Sequence, residues 1–219
     1  MTEITDYITN DYKAIDSQET IADVQDFFVD VSFSHFAVLH EGIYIGCIAS
    51  DDVETFDADK KVADYNYALE GFFTRKNMIW LDVLEVFAKN HTNIVPVLDD
   101  DNTYLGYYEL EDIVKFFHET PFLKENGGII VVQKSIADYT MGQIVQIVES
   151  NNGKLLGLFV SEADAEKVQV TIKITLGAMN DIIQTFRRYN YEIVSEHHED
   201  NYLNSLKERS EYLDKYLNI

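Results

Sequence analysis

The sequence predicts an α+β protein with a duplicated first half, a separate βαββαβ second half and a terminal helix. Three observations support this prediction. Two stretches repeat each other about sixty residues apart, a polar glycine-containing stretch follows the second copy, and strand and helix patterns regroup beyond it. With 219 residues, of which 46% are hydrophobic, the chain is long and apolar enough to bury a core.

The two copies match in residue size and polarity. Thr20, Ile21, Val24, Phe27, Phe28, Phe36 and Val38 correspond to Ile79, Trp80, Val83, Val86, Phe87, Val95 and Val97, all at an offset of 59. One extra residue in the acidic loop of the second copy moves the offset to 60 for Gly46 with Gly106 and for Asp52 with Asp112. Each copy therefore ends in a glycine that an aspartate follows six residues later.

The elements of each copy follow from its apolar pattern. In the first copy we expect a strand over 12–16, a helix from about residue 20 that 17–20 can cap, strands over 33–39 and 43–48, and a helix from about Ser50. In the second copy we expect a helix carrying Trp80, Val83, Leu84, Phe87 and Ala88, strands over 94–98 and 104–108, and a helix over 110–118 that ends before Pro121.

This order of elements, with Asn93-Ile94-Val95-Pro96-Val97 before the hairpin and the glycine and aspartate after it, resembles the cystathionine-β-synthase (CBS) domain. Two copies would make a Bateman module over 1–122, with units of about 1–60 and 61–122. The resemblance is stronger in the second copy, because Pro96-Val97 stands there and Ala37-Val38 stands in the first.

A linker is expected over 123–127, and a second domain over 128–200. Its elements are a strand over 129–132, a helix from Met141, strands over 155–160 and 168–175, a helix over 178–189 and a strand over 192–196. Apolar and polar residues alternate in the third strand, which suits a sheet covered on one side. The order of elements is ferredoxin-like.

The segment 141–147 resembles the loop-to-helix signature of ACT domains, with Met141 in place of the usual proline. In that family the glycine lets a small ligand approach the backbone, so the resemblance implies a ligand site at Met141 and Gly142. A CBS pair followed by an ACT-like domain is also the architecture of the acetoin-utilisation B (AcuB) type proteins, and the length fits.

The CBS resemblance also implies a nucleotide site. In Bateman modules that bind adenine nucleotides, a hydroxyl after the glycine meets phosphate and an aspartate meets the ribose. Here the aspartates are Asp52 and Asp112, Ser50 lies one position after the expected hydroxyl, and Glu109 occupies that position in the second copy. AMP, ADP, ATP and S-adenosylmethionine are the candidate regulatory ligands, and adenosine-like or monophosphate ligands, or one carried with magnesium, are favoured over free ATP.

Each candidate also has a structural explanation. An aspartate in the first turn of a helix is stabilised by the helix dipole whether or not a ligand binds. Ala49 stands at the hydroxyl position of the first copy, and a carboxylate at Glu109 would repel phosphate. His35 and His91 are interpreted as polar residues at turns, and His197-His198 as a solvated strand end rather than a metal site.

Composition narrows the class of function. The chain has 39 acidic and 17 basic residues, a formal charge of −22, so nucleic acid and anionic membranes are not expected partners. The amino terminus shows no signal-peptide pattern, which favours a cytoplasmic protein. The single cysteine, Cys47, is expected to be a buried strand thiol. No metal site or enzyme motif stands out, so we expect no catalytic activity.

The remaining expectations concern assembly and role. The tail over 201–219 is an expected amphipathic helix, docked on its own domain or on a partner. The leading interpretation is a non-catalytic regulatory sensor, a homodimer whose CBS pair binds an adenosine-containing ligand and whose ACT-like domain is a second input or the dimerisation surface. The alternative is an interaction scaffold with a degenerate nucleotide site that recruits a protein partner. A catalytic protein is the third and least favoured class.

Overall fold

The two repeats fold in the same way. In the computed structural model, which describes residues 3–195 except 176 and 178, the chain separates into two units, Met1–His118 and Glu119–Ile219. The predicted tail helix and the pair His197-His198 lie outside the described residues. In the part of the chain that the structure describes, no helix is long and apolar enough to cross a bilayer.

The first unit contains both repeats. Its elements are a 3-10 helix Ile4–Tyr7, β1 Ile15–Asp16, α1 Ile21–Asp30, β2 His35–His40, β3 Ile43–Ala49, α2 Ser50–Thr55, a 3-10 helix Val62–Ala68, β4 Thr74–Arg75, α3 Trp80–Lys89, β5 Ile94–Leu98, β6 Tyr104–Glu109 and α4 Leu110–His118. The predicted first strand is shorter than expected, because only its last two residues pair with β2.

Each repeat builds a three-stranded sheet of identical topology. The orders are β1-β2-β3 and β4-β5-β6, with a parallel first pair and an antiparallel hairpin in both. The hairpin register shifts after Val38 in one copy and after Val97 in the other, which are equivalent positions. The predicted duplication is therefore present in three dimensions.

The segment before each repeat's first strand pairs with the other repeat. Thr9 pairs with Tyr107 of β6 through N–H to O bonds of 3.0 and 2.9 Å. Glu70 pairs with Cys47 of β3 through two bonds of 2.8 Å. The repeats thus exchange their leading segments, and Ile4, Tyr7 and Ile8 pack against the core of the second repeat.

Helix α1 shows how the sequence places these elements. Thr20 caps it, since its hydroxyl accepts the N–H of Asp23 at 3.2 Å, and the Asp23 carboxylate accepts the Thr20 N–H at 3.4 Å. Ile21 and Val24 are fully buried beneath it, together with Phe36, Val38 and Ile48 of the sheet. In α3 the buried residues are Val83 and Phe87.

The second unit is a four-stranded antiparallel sheet with two main helices. Its elements are α5 Pro121–Lys124, β7 Gly127–Ser135, α6 Met141–Ser150, β8 Leu155–Ala163, β9 Lys167–Thr175, α7 Met179–Arg188 and β10 Glu192–Ile193. The strand order β10-β7-β9-β8 with this connectivity is the ferredoxin-like arrangement. The predicted α+β fold class is confirmed.

Residues around the predicted linker are more regular than the sequence indicated. Pro121 begins the short helix α5 at a first-turn position, where its missing N–H costs nothing. Strand β7 begins at Gly127 and pairs with β9 along nine residues, from Gly127 with Thr175 to Ser135 with Lys167. The boundary between the two units falls ahead of the segment 123–127.

The core of the second unit lies on one face of its sheet. The side chains of β9 that alternate in the sequence, Val168, Val170, Ile172 and Ile174, are all buried there. Helices α6 and α7 cover them with Ile144, Ile147, Val148, Ile182 and Phe186. The polar residues that alternate with them in the sequence are, apart from Lys173, less completely buried, which agrees with the one-sided pattern of the strand.

Candidate functional site

The repeated glycines lie where the exchanged segments cross the hairpins. Gly46 and Gly106 have φ angles of +148° and +144°, which side chains rarely adopt. A Cβ on Gly46 would lie 2.9 Å from the Leu69 Cβ, and one on Gly106 would lie 2.3 Å from the Thr9 carbonyl oxygen. The contacts within the chain therefore explain both glycines without a ligand.

The two repeats also meet through reciprocal hydrogen bonds at equivalent positions. The Ser34 N–H donates to Asn93 Oδ1 at 2.8 Å, and the Asn93 N–H donates to Ser34 Oγ at 3.1 Å. The backbone carbonyls of the same two residues accept the first N–H of the next helix in each repeat. The Ser50 N–H donates to the Ser34 carbonyl, and the Leu110 N–H donates to the Asn93 carbonyl, both at 2.9 Å. The two sets of bonds are related by an approximate twofold axis. They connect the first residues of α2 and α4 to the contact between Ser34 and Asn93.

His35 sits beside this contact. Its Nδ1 lies 2.9 Å from Ser34 Oγ, and its Nε2 lies 3.3 Å from a carboxylate oxygen of Glu70 in the exchanged segment. The residue is only 8% exposed, and its ring meets the edge of Phe72. The sequence suggested a polar residue at a turn, whereas the structure makes His35 a buried link between the repeats.

A cavity of about 780 Å³ opens against the first repeat. Helix α1, the loop after it and helix α2 form its walls. The apolar lining residues are Phe28, Val29, Val31, Phe33 and Val53, and the polar ones are Gln25, Ser32, Ser34, Ser50 and Glu54. This volume is in the range of small-molecule sites, and the cavity reaches the Ser34 contact between the repeats.

The two candidate residues of the first repeat differ in their position relative to the cavity. Ser50 lines the cavity as the first residue of α2. Asp52 is two positions further on and half-buried, and it is not among the residues that line the cavity. The structure therefore brings one of these two predicted residues to the cavity.

The candidate residues of the second repeat lie in an acidic setting. Glu109 ends β6 half-buried, and its burial, followed by the nearby carboxylates of Asp112 and Glu111, raises its pKa. Asp112 has an ion pair with Lys115 at 3.2 Å. A phosphate placed here would meet these carboxylates, so this position disfavours anionic ligands.

The candidate residues of the second unit begin helix α6. The Thr140 hydroxyl caps the helix by accepting the N–H of Gln143 at 3.2 Å. Met141 packs against the core of the unit, while Gly142 is exposed. A Cβ added to Gly142 would meet no atom within 4 Å, so contacts within the chain do not require glycine at this position.

Cys47 is a fully buried thiol beneath the hairpin. Burial raises its pKa to about 12. The Tyr44 hydroxyl lies 3.4 Å from its Sγ and donates to the Phe72 carbonyl at 2.6 Å. A thiol in this position stays protonated at neutral pH and is not a nucleophile.

Residues 68–119 match the family model of the CBS domain. The matched stretch covers the second repeat from the end of the 3-10 helix Val62–Ala68 to just after α4. The first repeat has the same strand order, pairing and crossing geometry as the second, which contains the matched stretch.

Individual proteins show more distant similarity. An uncharacterized protein of Methanocaldococcus jannaschii is 23% identical over 142 residues, which are 61% of this chain and 51% of that protein, so the chain spans about half the length of this relative. A CBS domain pair/ACT domain protein of Thermotoga maritima is 18% identical over 54% of this chain and 98% of its own, with a TM-score of 0.48. CBSX2 in complex with AMP is 14% identical over 53% of this chain and 96% of its own, with a TM-score of 0.45.

Proposed function

We propose that the protein is a non-catalytic regulatory sensor whose CBS pair binds an adenosine-containing ligand at the contact between the repeats. The observation that supports this most is the cavity of about 780 Å³, which contains Ser50 and extends to Ser34. Ser34 is hydrogen-bonded to Asn93 of the other repeat. A ligand in the cavity would therefore touch the residue that couples the two copies.

The lining chemistry suits a nucleoside in several respects. Phe28 and Phe33 offer apolar surface for a base. Ser50 and Ser32 offer hydroxyl groups that can bond a ribose diol. Among AMP, ADP, ATP and S-adenosylmethionine, ligands with few phosphates are favoured. Glu109 and Asp112 form the weaker second candidate position.

Ligand binding can act as a switch only if it favours one arrangement of the repeats over another. The pair Ser34 and Asn93, with His35 and Glu70 beside it, is the element that such a ligand would bias. We further propose that the ACT-like unit, with Met141 and Gly142 at its helix start, provides a second ligand input or the surface of a homodimer.

Isothermal titration calorimetry with adenosine, AMP, ADP, ATP and S-adenosylmethionine tests the proposal. We expect heat from at least one ligand and a weakening of about tenfold in Ser50→Phe, which would narrow the cavity. The control is Ser161→Ala in strand β8 of the second unit, which should leave the affinity unchanged. Absence of heat with all five ligands would reject the sensor function and favour the scaffold alternative.

A further inference from the structure

The two helices beside the cavity in the first repeat carry an excess of acidic residues. No Lys or Arg occurs between Lys13 and Lys60, although this stretch contains all of α1 and α2. The two helices carry Asp23, Asp26 and Asp30, and Asp51, Asp52 and Glu54, respectively. Among the described residues that line the cavity, Glu54 is the charged one. The field inside a cleft with walls of one sign attracts ions of the opposite sign.

Three N–H donors at the cavity are already engaged by the protein. The Gln25 side-chain nitrogen donates to the Val53 carbonyl at 2.9 Å. The Ser34 N–H donates to Asn93 and the Ser50 N–H donates to the Ser34 carbonyl. These groups cannot offer the same protons to a phosphate. Helix α2 has only six residues, so its dipole adds little attraction for an anion.

The remaining chemistry favours a cation with an apolar body. A carboxylate from Glu54 can pair with an ammonium group, and the serine hydroxyls can accept its protons. Phe28 and Phe33 supply aromatic surface, which attracts cations and packs against apolar groups. Val29, which is 84% exposed, and Val31 extend this apolar surface.

We propose that this cavity selects a ligand with a positively charged amine and discriminates against phosphate. This inference deepens the proposed function, because it concerns the same cavity and names the charge of the head group. It assigns Glu54 as the residue that determines specificity. The adenine of an adenosine-containing ligand would occupy the aromatic side, and the amine would face Glu54.

A matched ligand series tests the charge without changing the base. Affinities of 5′-amino-5′-deoxyadenosine, adenosine and AMP are measured by calorimetry at low and high salt. We expect the amine to bind about fivefold more tightly than adenosine, the size of one partly exposed ion pair. We expect AMP to bind most weakly. Added salt should reduce the advantage of the amine.

A second series separates charge selection from adenine recognition. Titrations of 2-phenylethylamine, 2-phenylethanol and 3-phenylpropionate are followed by amide NMR, with shifts expected at Val29, Ser32 and Ser50. Glu54→Gln should remove most of the amine's advantage over the alcohol. The control Asp26→Asn removes one charge from α1 outside the cavity lining and should have a smaller effect. Ser32→Trp should block all three ligands while the melting temperature is retained.

The outcomes distinguish the two proposals. If AMP binds as tightly as the amine, or if Glu54→Gln and Asp26→Asn act alike, charge selection is wrong and the sensor function stands. If phenylethylamine binds and no adenosine compound does, the cation site stands and the adenosine proposal is wrong. If no compound shifts the cavity amides, both are wrong. Sedimentation that shows a dimer whose interface covers these amides would assign the cavity to a second copy and overturn the inference.

Discussion

Gly106 shows most sharply how single residues limit this fold. A Cβ added to Gly106 would overlap the Thr9 carbonyl oxygen at 2.3 Å. A Cβ added to Gly46 would come no nearer than 2.9 Å to another atom, the Leu69 Cβ. The backbone of the exchanged segment is held at this place by two hydrogen bonds to Tyr107. A side chain at Gly106 would therefore have to displace backbone rather than rotate a neighbouring side chain.

We predict that Gly106→Ala destabilises the first unit by at least about 2 kcal/mol, since a positive φ alone costs about 1–3 kcal/mol in other residues. Gly46→Ala should cost less. Gly71→Ala is the control, because Gly71 lies in the same unit, has no φ in the strained range and has open space at its Cβ. Urea unfolding monitored by the fluorescence of Trp80 measures all three. Equal effects of Gly106→Ala and Gly71→Ala would contradict the crossing geometry.

Glu109 makes the stability of the first unit depend on pH. Its folded pKa is raised above the ordinary value of 4.5 by burial and by neighbouring carboxylates. The folded state therefore binds this proton more tightly than the unfolded state, and the associated stability is lost as pH rises through the raised pKa. Ionisation of Glu109 in the folded state therefore costs stability.

We expect Glu109→Gln to raise the melting temperature at pH 7.5 by roughly 1–3 °C, because the group is partly solvated and its electrostatic effect is screened. The difference should shrink as pH is lowered through the raised pKa of Glu109. Glu111→Gln is the matched control, since Glu111 is more exposed and pairs with Lys115 at 3.1 Å. A stabilisation of Glu109→Gln that does not change with pH would show that charge is not the cause.

The residue scale also shows where sequence reasoning reached the site and where it did not. The pattern of glycine, hydroxyl and aspartate identified Ser50, which does line the cavity. It did not identify Glu54, Phe28 or Phe33, because Phe28 on the apolar face of a predicted helix, Phe33 in the predicted strand 33–39 and Glu54 near a helix start are typical of ordinary core or surface residues. The absence of Lys and Arg between Lys13 and Lys60 was readable in the sequence and indicates the acidic excess on α1 and α2.

Among the elements, the hairpins follow from local patterns and the crossing segments do not. Apolar runs on either side of Glu41-Gly42 and of the acidic loop predict the strands, and both hairpins form as expected. The segments around Thr9 and Glu70 show no strand pattern, because each segment pairs with a distant strand through a single residue. Their pairing depends on the assembled sheets, so no local pattern could predict it.

We predict that removal of residues 1–10 exposes β6 and leaves β3 paired. The Tyr107 amide, which donates to the Thr9 carbonyl at 2.9 Å, should lose protection from hydrogen exchange. The Cys47 amide, which donates to the Glu70 carbonyl at 2.8 Å, should keep its relative protection. Two lost hydrogen bonds of about 1 kcal/mol each, with the lost contacts of Ile4, Tyr7 and Ile8, should lower the melting temperature. Continued protection of Tyr107 would contradict the exchange of segments.

At the scale of the whole molecule, each unit has a core of its own. The first unit buries Ile21 and Val24 among its sheets, and the second buries Ile172 between its helices and its strands. The composition change at 124–128 and the one-sided alternation of β9 predict a second domain from residue 128. The segment 123–127 was harder to place because two consecutive glycines indicate a turn, although Gly127 and Gly128 both pair with β9.

The separate cores lead to a prediction about cooperativity that one fluorophore can test. Trp80 is the chain's single tryptophan and lies in the first unit, while circular dichroism reports helices of both units. Ile21→Ala and Ile172→Ala remove the same atoms from fully buried positions, each at a cost of about 2–5 kcal/mol. Ile172→Ala should shift part of the circular-dichroism transition and leave the fluorescence transition in place. Ile21→Ala should shift the fluorescence transition.

A ligand that binds the first repeat should raise the fluorescence transition by mass action and restore part of the loss in Ile21→Ala. If Ile172→Ala moves both signals together, the two units unfold as one, and ligand binding in the first would then stabilise the second directly.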